Sequence, residues 1–210
     1  MVPDPPRKLA PHVVTWLAER PFHRVFRLEH GATRFNPGSP NGGVRGRFHF
    51  FRDANEQIVS SLYGAEVQDA AIAETILQLS PQHRHQRSLR PARFKAFAIA
   101  SITVAHDLRL IELCGSGLQK LRLLPEELTS TSPSEYSRTI AWAKALHHAA
   151  PDAHGLLWVS HQFNTSKVLM LFGDRVDEKN LAAETILHLS VGRGRKLVEH
   201  AANRAGITIL

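Results

Sequence analysis

Two apolar runs, Gly155 to Ser160 (GLLWVS) and Lys167 to Phe172 (KVLMLF), stand on either side of a short polar link, Gln162 to Ser166. Runs of this length and composition read as a pair of core strands. The chain must therefore build a sheet, and its other segments say what surrounds it. Phe97 to Val104 and Leu108 to Leu113 are further strand candidates rich in β-branched or apolar residues, and His23 to Arg27 is a shorter one. Arg47 to Phe51 and Gln57 to Ala65 read as two strands joined by a turn at Asp53-Ala54-Asn55.

Helices interrupt these strands. Asp69 to Leu79 is stopped by Ser80-Pro81. Ser134 to Ala149 puts Tyr136, Ile140, Ala143 and His147 on one face and ends before Pro151. Apolar spacing at Val13, Trp16 and Leu17 predicts another helix over His12 to Arg20. The tail reads as two helical segments, Leu181 to Leu189 and Lys196 to Arg204, followed by the apolar run Ile207 to Leu210. Strands and helices mix without a βαβ rhythm. The expected class is α+β, a single domain with a mixed central sheet and flanking helices.

One echo crosses that plan. Ala73 to Ser80 (AETILQLS) nearly repeats as Ala183 to Ser190 (AETILHLS). A duplication would carry its neighbours with it, yet nothing like Leu62-Tyr63-Gly64 precedes Glu184. The reading is two similar amphipathic helices, with Glu184 inheriting no role from Glu74.

A chain of 210 residues supports one sizeable core. Residues 1–11 hold four prolines and read as a flexible arm, leaving 12–210 as the domain. Gly31 to Gly46, with five glycines and two prolines, reads as a long loop. No apolar run approaches the roughly 18 residues of a spanning helix, and no secretory leader is recognisable. A single cysteine, Cys114, excludes an internal disulfide and points to a reducing, cytoplasmic setting. Thirteen histidines form no i, i+4 pair with a flanking glutamate, so no metal is expected. The net charge of +7 and pI near 10.1 favour a phosphate-bearing ligand or an acidic partner. The basic stretch His83 to Lys95 keeps open a non-catalytic nucleic-acid-binding or regulatory module, though direct nucleic-acid contact is the weaker reading without base-reading motifs.

Four polar residues sit in short apolar contexts: Arg47 in Gly46-Arg47-Phe48, Tyr63 in Leu62-Tyr63-Gly64-Ala65, Glu74 within Ala70 to Leu77, and Ser160 at the end of GLLWVS. A cation, an aromatic ring, a carboxylate and a hydroxyl together suit a charged, ring-containing ligand. Taken singly, each has an ordinary alternative: a surface ion pair, core packing, a solvated helix face, a strand end.

In order, the segments Phe35-Asn36-Pro37, Gly46-Arg47-Phe48, Leu62 to Ala65, Ala73-Glu74-Thr75, Tyr136 to His147, Trp158 to Gln162 and Leu171 to Arg175 make the chain resemble the RES domain family from about Phe22 to Arg175. That resemblance implies an ADP-ribosyltransferase-like fold, the toxin half of a bacterial toxin–antitoxin pair, and consumption of NAD+ at the nicotinamide–ribose bond. It also implies a cognate antitoxin over the site, and it is compatible with a homo-oligomer. Carried over, Arg47, Tyr63, Glu74 and Ser160 are the catalytic set, with NAD+ as substrate. His161 and Gln162 join Arg47, Tyr63 and Ser160 as binding candidates, and Arg34 in Thr33-Arg34-Phe35 is a rival for the arginine. Ser160 reads as a positioning hydroxyl rather than a nucleophile, since no base can be paired with it. The Arg47–Tyr63 interval is wider than in compact members, and His161 stands where longer members carry arginine. A RES-fold protein without activity is accordingly a third reading.

Overall fold

The computed structural model describes residues 1–38, 46–79 and 87–210. Part of the glycine-rich loop and the histidine end of the basic stretch, including His83 and His85, lie outside the described residues. Along the chain run β1 (Val13–Trp16), β2 (Phe22–Arg27), β3 (Ser61–Ala65), α1 (Gln68–Thr75), β4 (Ser88–Leu89), β5 (Phe97–Val104) and β6 (Leu108–Glu112). Then follow α2 (Ser116–Leu121), α3 (Pro125–Leu128), α4 (Tyr136–Ala149), β7 (Gly155–Val159), β8 (Lys167–Phe172), β9 (Leu181–His188), α5 (Gly192–Arg204) and β10 (Thr208–Ile209).

Eight strands form one sheet in the order β1-β6-β7-β8-β3-β2-β5-β9, while β4 and β10 make a separate parallel pair. Among the described residues only the β6–β7 pairing in the large sheet is parallel. The sheet is mixed and helices flank it, so the α+β expectation holds.

The apolar runs of the sequence are strands covered on both faces, where alternation loses its meaning. In β8, Val168, Met170 and Phe172 join one hydrophobic cluster while Leu169 and Leu171 join another. The first cluster also takes Ile72 of α1 and Ile76 just after it, Trp142 and Leu146 of α4 and Val198 of α5. The second gathers Trp16, Phe22, Phe26, Leu62, Ile102 and Leu110 on the opposite face. Ahead of β1, Val2 is buried, its carbonyl accepts from Arg138 at 2.8 Å, and Trp142 Nε1 donates to the Pro3 carbonyl at 2.7 Å.

Three segments differ from expectation. The predicted helix at His12 to Arg20 is β1, paired antiparallel with β6. Its three helically spaced apolar residues are outweighed by Val13-Val14-Thr15, whose β-branched side chains fit a pleated surface. The chain then turns at Glu19, with φ of 63°, and Leu17 is left 61% exposed. The predicted helix at Leu181 to Leu189 is also a strand, β9, which pairs along β5 from Leu181 to His188. The first arm of the predicted hairpin is irregular: isolated bridges join Gly46 to His49 and Arg52 to Ile58, and regular strand begins at Ser61.

Candidate active site

A transverse row of the sheet makes a floor. Trp158 of β7 registers with Val168 of β8, Val168 with Ala65 of β3, and Ala65 with His23 of β2. That last pair is the only one registered between β2 and β3 among the described residues, whereas β2 and β5 share a ladder from Phe22 to Arg27. Gly64 sits at the junction, where a Cβ would come within 2.4 Å of the Phe22 ring. Over this row lies a cleft of about 260 Å³, bounded by Ala71, Glu74, Thr75 and Gln78 on the α1 side and by Gly46, Arg47, His49 and Tyr136 opposite.

Glu74 is the penultimate residue of α1 and lines the cleft. Its Oε1 accepts from Ser160 Oγ at 2.5 Å and from the Gln162 backbone N–H at 3.1 Å. Among the described residues nothing donates to Oε2. Ser160, at 1% exposure, lies behind the carboxylate rather than in the cleft, and its Oγ accepts from the Phe163 N–H at 2.8 Å. The hydroxyl is thus a link between Glu74 and the turn that follows β7.

Arg47 is fixed from two sides. Its carbonyl accepts from Thr139 Oγ1 of α4, and its Nη1 donates to the Thr131 carbonyl at 2.9 Å and to Thr131 Oγ1 at 2.6 Å. The guanidinium carbon stands 5.3 Å from the Tyr136 ring centroid, within cation–π range. Nη2 and Nε have no partner among the described residues.

Tyr63 projects from β3, and its hydroxyl meets His49 Nδ1 at 2.7 Å. Burial pushes the phenol pKa up and the imidazole pKa down, the latter to about 4. Both groups are therefore neutral at neutral pH, and the tautomer with a bare Nδ1 accepts the phenol proton. The Tyr63 ring meets Trp158 edge-on at 6.0 Å and His49 at 5.0 Å. Gly46 is required here, because a Cβ would sit 2.1 Å from His49 Cε1.

The remaining candidates separate. His161 is exposed and lines the cleft. Gln162 reaches Glu74 through its backbone N–H and lines another hollow with Asp69, Phe163 and Arg204. Arg34 lies elsewhere, in a concavity with Phe26, Arg27 and Glu178. It is kept there by buried Arg24, which donates to the Arg34 carbonyl at 2.8 Å and to the Ala32 carbonyl at 3.1 Å. The structure brings Arg47, not Arg34, to Tyr63 and Glu74.

Sequence reasoning assigned no role to His49, Thr131, Tyr136 or Trp158. The signal for His49 was its place two residues beyond Arg47, but nothing local marks it as the partner of a tyrosine fourteen positions on.

The mixed α+β fold and this cleft define the class, and the comparisons give the family. The RES domain family model matches residues 21–190, so the chain belongs to the RES domain family. Among solved structures, a chain of the M. tuberculosis MbcT–MbcA toxin–antitoxin complex is similar at a TM-score of 0.60 with 15% identity, covering 89% of this chain and 92% of its own. At that identity the likeness is one of fold. No curated protein matches the sequence.

Proposed function

We propose that this protein is an NAD+-degrading enzyme, the toxin of a bacterial toxin–antitoxin pair, acting in the cytoplasm on the nicotinamide–ribose bond. One observation carries the reading. Glu74 holds one carboxylate oxygen against Ser160 and Gln162, and it shares a cleft with Arg47 and Tyr63 in a RES domain chain.

The chemistry follows from that arrangement. When the bond breaks, nicotinamide leaves with the bonding pair and the ribose gains oxocarbenium character, as in glycoside cleavage. A fixed carboxylate beside the ribose stabilises that charge without reorganising. Arg47 offers Nη2 and Nε to the pyrophosphate, a use that suits its planar fork. The Tyr63 hydroxyl is engaged by His49, so its ring is the part offered to the nicotinamide. A cleft of about 260 Å³, small beside ligand pockets of roughly 300–1,000 Å³, takes the nicotinamide–ribose end with the adenosine outside. Ser160 acts as a positioning residue: its Oγ is spent on Glu74 and Phe163, and among the described residues no imidazole is bonded to it.

A cognate antitoxin that covers this cleft completes the reading, and it should compete with NAD+. The acceptor is water, phosphate or a protein side chain. The test is nicotinamide release from NAD+ by the purified protein, with and without inorganic phosphate. Turnover that requires phosphate identifies a phosphorylase; turnover without it, transfer to water or to a protein side chain. No release under either condition, together with a salt-sensitive gel shift of DNA or RNA, would favour the nucleic-acid-binding module instead.

A further inference from the structure

His23 is the unexplained end of the cleft floor. It lies on the sheet face of Val25 and Tyr63, which pack against the α1-side core, and it borders both the cleft and a separate hollow lined by Val67, Gln68, Thr165 and Ser166. Its Nδ1 is buried and has no hydrogen-bond partner among the described residues. Leaving a polar atom in that state costs its desolvation without a compensating bond, a cost that a valine such as Val25, two residues along, does not carry. The strand alone gives no reason for an imidazole here.

The two ring nitrogens divide the explanation. Burial lowers the His23 pKa, so the ring is neutral at neutral pH and carries one proton. Orphaned buried N–H groups are rarer than undersatisfied acceptors, which leaves Nδ1 bare and puts the proton on Nε2. Nε2 also has no partner among the described residues, but it is not among the buried unpaired atoms. Nε2 is thus the ring nitrogen left accessible, on a residue that borders the cleft at the opposite end of the row from Trp158.

We propose that His23 is a substrate-binding residue whose Nε2–H donates a hydrogen bond to an uncharged hydroxyl or carbonyl oxygen of the dinucleotide. The inference rests on the NAD+ reading of the cleft and adds a contact to it. The test uses three variants of the full chain, H23Q, H23N and H23L, with KM and kcat for nicotinamide release and Tm for each. A glutamine amide nitrogen reaches the place of Nε2; an asparagine amide nitrogen reaches that of Nδ1. H23L and H23N should raise KM about 3- to 10-fold, the size of one neutral hydrogen bond, with kcat within about twofold. H23Q should return KM to within about twofold of wild type. H23L should melt no lower than wild type, because it removes the unpaired nitrogen. An unchanged KM in H23L overturns the proposal while leaving the enzyme reading intact. Rescue by asparagine instead of glutamine also overturns it, by showing that the buried nitrogen is the one that matters. A wild-type protein that releases no nicotinamide would instead sink the NAD+ reading, and this contact with it.

Discussion

Glu74 reaches the cleft with its two oxygens in different surroundings, one bonded to Ser160 and Gln162 and one without a donor among the described residues. That asymmetry sets the expectation for Ser160→Ala. Loss of one hydrogen bond to a carboxylate should cost about 10- to 100-fold in kcat/KM, with residual activity well above background, because a positioning residue is dispensable where a nucleophile is not. A drop to background with an unchanged fold would restore the nucleophile. The sequence showed Glu74, Tyr63 and Ser160 through their order and apolar settings, yet it left Arg47 and Arg34 as rivals. The choice depends on Thr131 and Thr139, which hold Arg47, and on Arg24, which holds the Arg34 carbonyl elsewhere. Those partners are 10 to 92 residues away in the chain, beyond any local pattern.

Among the elements, the most instructive pair is α1 with its short continuation, and β9. Ala73 to Leu79 and Ala183 to Leu189 differ at one position, Gln78 against His188, but the first is helix running into a 3-10 turn and the second opens as strand. Propensity is equal in both, so tertiary context decides. Ile76 is buried in the core beside α1, whereas Ile186 is 50% exposed on a strand that completes the sheet beside β5. His188→Gln, which makes the two segments identical, should leave the far-UV circular dichroism unchanged and stability within about 0.5 kcal/mol. A gain of helix would show that the side chain, not the sheet, sets β9. The strands buried on both faces were legible because their residues are apolar throughout. The edge strands β1 and β9 were not, since short or exposed segments carry no such pattern. Gly46 belongs to this scale too. Gly46→Ala would drive a Cβ into the His49 ring, so it should destabilise by about 1–3 kcal/mol and lower activity by breaking the Tyr63 pair. Unchanged melting and turnover would remove His49 from the account.

For the molecule as a whole, burial of neutral imidazoles fixes how stability depends on pH. His49 is held near a pKa of about 4, and His23 and His154 are also lowered by burial. Between pH 6.5 and about 4.5 the unfolded chain binds protons that the folded chain refuses, so stability falls as pH falls. His49 alone should contribute a loss of about 2 kcal/mol by pH 4.5, and thermal melts of His49→Gln should show a flatter slope across that window. Glu112 and Asp174 have lowered carboxyl pKa values, so their stabilisation is lost only at lower pH. A wild-type Tm that is flat from pH 7 to 4.5 would contradict buried neutral histidines around the cleft. The cleft's chemistry is tested most simply by nicotinamide release from NAD+ by the wild-type protein and Glu74→Gln, with melting recorded for both. Wild type should turn over NAD+, the variant should fall to background, and their Tm values should match closely. Full turnover by a folded Glu74→Gln protein would contradict that chemistry.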